Sequence, residues 1–219
     1  MVKIAFHDNQ LCERGTTVSL YDYAYYNKHY LGNESIIMYY GSDHRNLKSV
    51  IDKFSKEFKL CPYENWNKEA NRILQEEKCD ILYMQKAGQW DRKMAHPSIC
   101  KSVIHCVFST IHPHGDVYAR ISEHFGDNKY PVVNYMVNLP EVKDNMRDEV
   151  GIPKNATVFG RIGGINEFDI PVVHQAVDKI TDDNPNIYFF LVNTKRFCKE
   201  KKNIIHYDRI IDLEKKLNL

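Results

Sequence analysis

Two glycine-bearing segments carry the residue types that hold phosphate. The first is Asn9-Gln10-Leu11-Cys12-Glu13-Arg14-Gly15-Thr16-Thr17, between a short apolar run and a segment of helical period. Gly15 permits close backbone approach, and a helix opening at Thr16 offers N–H groups without intrahelical partners. Open α/β sheets bind ligands at such strand ends and helix starts. The same segment reads equally well as an ordinary connection capped by Thr16 or Thr17. The second is Gly160-Arg161-Ile162-Gly163-Gly164-Ile165-Asn166-Glu167-Phe168-Asp169. Arg161 can grip a phosphate through two N–H groups, and Gly163 and Gly164 keep the backbone accessible. The alternative is a turn with an exposed Arg. Neither segment is a three-glycine dinucleotide fingerprint or a P-loop, and no Gly-x-Ser-x-Gly elbow occurs.

A histidine group forms the third candidate: His105, His112, His114 and His124, with Asp116. His105 lies in an apolar run, where a histidine is more often a hydrogen-bonded core residue than a catalyst. A substrate-contacting or catalytic role is its other reading. His112-Pro113-His114-Gly115-Asp116 has ligand-capable side chains, but Pro and Gly mark a shaped turn, and no metal is expected. The six cysteines are scattered without a C-x-x-C pair, so they read as reduced, mostly buried thiols in an intracellular protein. Tyr21 and Tyr25 are expected to pack inward from a Tyr-rich helix, and the basic run Lys195–Lys202 reads as a solvated loop.

The elements that must position these residues alternate between strand and helix. Val2–Phe6, Ser35–Tyr40, Lys59–Tyr63, Asp80–Gln85, Ser102–Ser109, Val117–Ser122 and Val132–Val137 read as strands. Thr16–Tyr30, Leu47–Phe58 and Glu64–Lys78 read as helices, with Gly32 closing the first. The composition turns charged at Asn138–Ala156, which reads as a surface segment, part helix and part linker. The alternation then restarts with strands at Thr157–Ile162, Asn186–Asn193 and Asn203–Tyr207 and helices at Ile170–Ile180 and Ile211–Leu217. This rhythm predicts parallel sheets with right-handed crossovers.

The 219 residues suit one large or two small domains. A net charge of +1 gives no electrostatic argument for nucleic acid or an anionic membrane. Met1–Phe6 is too short for a signal-peptide core, and no run approaches the ~18 apolar residues of a membrane span, so a cytoplasmic protein is expected.

Gly160-Arg161-Ile162 after a strand, then a turn and a helix, then Asn184-Pro185-Asn186 and a strong strand, resembles the second domain of GT-B glycosyltransferases. The likeness is to the large retaining group with glycogen-synthase-like and sucrose-phosphate-synthase-like enzymes. Phe159–Ala176, Pro113-His114-Gly115-Asp116-Val117 and Ile121-Ser122-Glu123 look like a viral or environmental subgroup of it.

The resemblance implies an α/β, GT-B-like chain. A Rossmann-type N-terminal domain would span 1–140, a linker 141–156, and the first part of a second Rossmann-like domain 157–219. It implies transfer from a nucleotide-diphosphate sugar, bound in an interdomain cleft, to a glycan, protein or small-molecule acceptor. No metal cofactor is implied. Arg161 matches the family's donor-phosphate Arg, and the family's following Lys falls on Asn166. Gly163, Gly164, Gly15 and Thr16 would complete the donor contacts, and His105 loosely matches a His at a first-domain strand end. The family's acidic motif, two Glu separated by seven residues, would follow the strand at 203–207 and is not reached by Leu219. The alternative is a non-catalytic interaction module that needs a partner chain, either a second copy or a separately encoded second half.

Overall fold

The computed structural model describes residues 1–108, 111–125, 129–136, 138, 146–163, 168–197 and 201–207. The chain forms two compact units, Met1–Asn138 and Leu139–Leu219.

In the first unit the order is β1 (Lys3–Asp8), α1 (Gly15–His29), β2 (Glu34–Tyr40), α2 (Lys48–Ser55), β3 (Lys59–Tyr63), α3 (Trp66–Glu76), β4 (Ile81–Lys86), β5 (Lys101–Cys106) and β6 (Val117–Arg120). The strands form one parallel sheet, ordered β3-β2-β1-β4-β5-β6. Successive side chains leave a strand on opposite faces, so a strand covered on both sides must be apolar throughout. Ala5, Ile36, Met38, Leu82, Met84 and Ile104 face one side and pack on Ala70 and Leu74 of α3. Phe6, Ile37 and Tyr39 face the other and pack on Leu20 and Ala24 of α1 and on Val50 and Phe54 of α2.

Helix α1 buries Thr17, Ser19, Asp22 and Asn27 as well as Leu20 and Ala24. These polar groups find partners inside the unit: the Ser19 hydroxyl meets Gln85, and Asn27 Nδ2 donates to the Ser35 hydroxyl. Tyr21 packs inward as expected, its ring 5.0 Å from Phe54 and 5.4 Å from Phe58. Gly32 follows the helix with φ +65°.

Two local expectations fail. Neither Thr16 nor Thr17 caps α1: the N-cap is Arg14, whose side chain makes no capping bond to the helix, and the Thr17 hydroxyl donates to Asp8 instead. The described part of Val132–Val137, residues 132–136, is not a strand. Pro131 has no N–H to give, and the segment makes a single bridge, Arg120 to Val132. Beyond that bridge the Val133 carbonyl meets His105 of β5, and the Asn134 carbonyl accepts from the Tyr23 hydroxyl of α1.

The second unit holds α4 (Met146–Val150), β7 (Thr157–Ile162), α5 (Pro171–Asp183), β8 (Ile187–Val192) and β9 (Ile204–Tyr207), with a parallel sheet ordered β7-β8-β9. The stretch 141–156 is not simply a linker on the surface. Within its described part, Met146, Ile152 and Ala156 are buried against Tyr188, Phe190 and Val192. Their charged neighbours in sequence conceal this apolar set. Val177 of α5 covers the other face, on Leu191 and Ile204. The helix expected at Ile211–Leu217 lies outside the described residues.

Cys61, Cys79 and Cys100 are buried free thiols, Cys106 is buried, Cys12 is half-buried and free, and Cys198 lies outside the described residues. Burial pushes the Cys79 thiol up to about 12 and the Cys100 thiol up to about 11. Among the described residues, no helix is long and apolar enough to cross a membrane.

Candidate functional site

In the first sheet the chain order reverses between β1 and β4, and the crevice beyond their carboxyl ends is where such sheets take ligands. Asp8 ends β1. Its Oδ1 accepts from Arg14 Nη2 at 2.6 Å and from the Asn9 N–H at 2.7 Å, and its Oδ2 accepts from the Thr17 hydroxyl at 2.6 Å. Burial raises the Asp8 pKa, while the Arg14 charge and the Thr17 hydrogen bond pull it back. The loop before α1 is therefore organised around a carboxylate. Gly15 opens the helix with no other heavy atom within 4 Å of where a Cβ would stand, so its backbone is uncovered. The Thr16 carbonyl accepts from the Ser19 hydroxyl.

Across the crevice, Lys86 ends β4. The alternation of β4 puts it on the same buried side as Leu82 and Met84. Its ammonium donates to Asp91 Oδ1 at 2.6 Å, to the Lys93 carbonyl at 2.5 Å and to His114 Nε2 at 3.2 Å. Burial lowers its pKa, and Asp91 opposes that shift. Since Nε2 accepts from Lys86, the proton of His114 sits on Nδ1, which donates to the His112 carbonyl at 2.6 Å. The Trp90 ring stands edge-on to His114 at 4.8 Å. Trp90, His112, Pro113 and His114 line a pocket of about 370 Å³.

The turn His112-Pro113-His114-Gly115-Asp116 is shaped as its Pro and Gly predict. Gly115 has φ +89°, and a Cβ there would stand 2.9 Å from the Ser102 carbonyl oxygen and 2.8 Å from Ile104. Asp116 accepts from Lys101 and from the Ser102 N–H. Among the described residues, no three His, Cys, Asp or Glu side chains are grouped to hold a metal ion.

His105 is the next-to-last residue of β5, near the strand's carboxyl end, and is 1% exposed. Its Nε2 is 2.8 Å from the Val133 carbonyl oxygen, which can only accept, so Nε2 carries the proton. Nδ1 then accepts from the Tyr83 hydroxyl at 2.7 Å. Burial lowers the His105 pKa, and the bond to Val133 opposes that shift. With both nitrogens engaged, His105 ties the 131–136 segment to the sheet. His124 is exposed, and its N–H donates to the Ser122 hydroxyl.

In the second unit, Arg161 lies on β7 with its guanidinium 5.2 Å from the Phe168 ring centre. It folds across Gly163, where a Cβ would stand 2.6 Å from Nη2. Asn193 Nδ2 donates to the Gly163 carbonyl at 2.9 Å. The structure thus brings Arg161 and Gly163 together at one strand end. Gly164 and Asn166 lie outside the described residues, and Gly15 and Thr16 belong to the other unit. In the basic run, Lys195 pairs with Asp169, and Lys201 with Asp178 and Asp182.

Sequence reasoning missed Asp8, Lys86 and Asp91. A signal for Lys86 was present: it occupies the buried phase of a strand's alternation, where a lysine needs partners. Nothing local marked Asp8, whose side-chain partners Arg14 and Thr17 lie six and nine residues on.

Together these features define an α/β protein with two parallel Rossmann-like sheets, the first with a doubly wound strand order and a polar crevice at its switch point. No family model matches the chain, and no curated protein matches it. Among solved structures, MurG from Acinetobacter baumannii is similar over 98% of this chain and 70% of its own, with a TM-score of 0.56 and 10% sequence identity. That likeness is one of fold, and the fold is of the GT-B type.

Proposed function

We propose that this chain is a glycosyltransferase that moves a sugar from a nucleotide-diphosphate donor to an acceptor. The observation that carries the reading is the GT-B fold, shared with MurG over 98% of the chain. In this reading Arg161 and the backbone around Gly163 hold the donor diphosphate, and Gly164 and Asn166 complete that contact. Negative charge builds on the leaving phosphate as the glycosidic bond breaks. A guanidinium already positioned there lowers the barrier without needing to reorganise. The acceptor binds at the carboxyl edge of the first sheet, near Asp8 and Lys86. A retaining outcome and the absence of a metal requirement are further parts of the proposal, supported by the motif resemblance around Gly160-Arg161-Ile162.

The test is incubation with radiolabelled UDP-, GDP- and ADP-sugars, following transfer and hydrolysis. Release of labelled sugar that falls at least about tenfold in Arg161→Gln supports the reading. The absence of any transfer or hydrolysis with every one of these donors overturns it.

A second reading, a non-catalytic interaction module, is favoured by β7. Phe159 and Ile162 on that strand are 50% and 45% exposed. Exposed apolar strand residues of this kind suit a partner chain. Size-exclusion chromatography with light scattering separates the two: a monomer that melts cooperatively counts against a required partner.

A further inference from the structure

A polar pocket of about 310 Å³ opens beyond the carboxyl ends of β1 and β2. Asn9, Gln10 and Arg14 line it from the loop after β1, Tyr40 from the end of β2, Asp43 and Arg45 from the loop after β2, and Lys93 from the loop after β4. Gln10 is 1% exposed, yet its Oε1 has no hydrogen-bond partner. Nε of Arg14, a buried atom of a side chain that is 41% exposed, also has no hydrogen-bond partner. Buried polar groups are normally paired, so two unmet groups at one pocket mark a place that something else completes.

Their chemistry defines the missing partner. The Gln10 oxygen can only accept, so the ligand must donate, as a hydroxyl does. Arg14 Nε can only donate, so the ligand must also bring an acceptor. The charges specify that acceptor further. Arg14 is balanced by Asp8, and Arg45 forks onto Asp43 through bonds of 2.8 and 2.6 Å. The Lys93 ammonium instead donates to neutral Asn9 Oδ1 at 2.8 Å, and no carboxylate among the described residues pairs with it. The lining therefore holds one unbalanced positive charge. Small-molecule sites begin near about 300 Å³, so the pocket suits a ligand of monosaccharide size and is oversized for bare phosphate.

We propose that this pocket binds a hydroxylated anion, a sugar acid or a sugar phosphate. Its service as the acceptor rests on the glycosyltransferase reading, but its binding does not. The anionic group sits against Lys93, Arg45 and Arg14 Nε, and a ring hydroxyl donates to Gln10 Oε1.

Isothermal titration with glucose 6-phosphate, glucuronate, glucose and inorganic phosphate tests this directly. At least one of the two hydroxylated anions binds about tenfold or more tightly than either glucose or phosphate. Which one does so distinguishes phosphate from carboxylate recognition. Lys93→Met, at a half-buried position, lowers that affinity about tenfold. Gln10→Met removes the preference over inorganic phosphate. If Gln10→Met fails to fold in a thermal melt, Lys93→Met and Arg45→Met carry the test. The proposal is overturned if neither hydroxylated anion exceeds phosphate, or if Lys93→Met leaves the affinity unchanged. Binding without any sugar transfer overturns the transferase reading alone. Transfer with no binding of these ligands overturns this proposal alone.

Discussion

The Tyr83 hydroxyl donates to Nδ1 of His105 across 2.7 Å, bridging neighbouring strands β4 and β5. Burial holds the Tyr83 pKa above its ordinary value, which keeps the hydroxyl protonated and able to donate near neutral pH. The other ring nitrogen donates to Val133. Replacing the ring with Phe strands the Val133 carbonyl and the Tyr83 hydroxyl together. His105→Phe is expected to lose about 2–3 kcal/mol in urea unfolding, with His105→Gln recovering part of it. A loss of turnover with unchanged stability would refute this structural role.

The buried histidines also set a pH dependence. Burial lowers the pKa of both His7 and His105 from the ordinary 6.5, so the unfolded chain binds more protons just below that value. Stability is then complete above the unfolded pKa and falls as pH drops through it. Each histidine contributes a slope of up to about 1.4 kcal/mol per pH unit. Asp8, raised from 3.8, works in the opposite sense in a more acidic window. Urea unfolding between about pH 5.5 and 7.5 should show the loss, and His7→Gln should flatten it. An unchanged slope in that variant would remove His7 from the account.

Thr17 is a bond in the Asp8 cluster, not a helix cap. Thr17→Val keeps the shape and deletes the hydroxyl that donates to Asp8 Oδ2. The expected loss is about 1–2 kcal/mol in chemical denaturation, with the Asp8 pKa moving up. Carbon-detected titration of the Asp8 carboxyl checks the second part.

Gly115 combines a left-handed backbone with close approach to the Ser102 carbonyl. Gly115→Ala is expected to lose about 2–4 kcal/mol, since strain and overpacking add at this position. A melting temperature within a degree or two of the parent would show that the turn relaxes freely.

Gly163 makes room only for the end of a flexible side chain. A Cβ there displaces the Arg161 guanidinium and meets no other group as closely. Gly163→Ala is therefore expected to change stability by less than about 0.5 kcal/mol. Its affinity for a nucleotide diphosphate should fall as it does in Arg161→Gln. Titration with UDP and GDP compares the two variants.

Much of the fold was legible because the signal was local. The apolar runs at Lys3–Asp8, Glu34–Tyr40 and Lys101–Cys106 are buried on both faces, and such runs read as parallel strands without any knowledge of their neighbours. Val132–Val137 has a similar composition, and its described residues 132–136 form no strand. Whether a segment extends a sheet depends on a free edge and on backbone donors, and Pro131 removes one of those. Met146, Ile152 and Ala156 were hidden in a charged stretch for the converse reason, since few apolar residues suffice where a sheet face waits for them.

From the sequence alone came the alternation of elements, the parallel architecture and the Arg161–Gly163 pair, two residues apart at one strand end. The tertiary structure decided which polar groups meet. Lys86 finds His114 and Lys93 finds Asn9. Ser19 finds Gln85 because α1 lies across β4. Periodicity is written within one helical turn or one strand. Contacts across tens of residues are set by strand order and crossover, so the crevice at the β1–β4 reversal exists only once the sheet has closed around it.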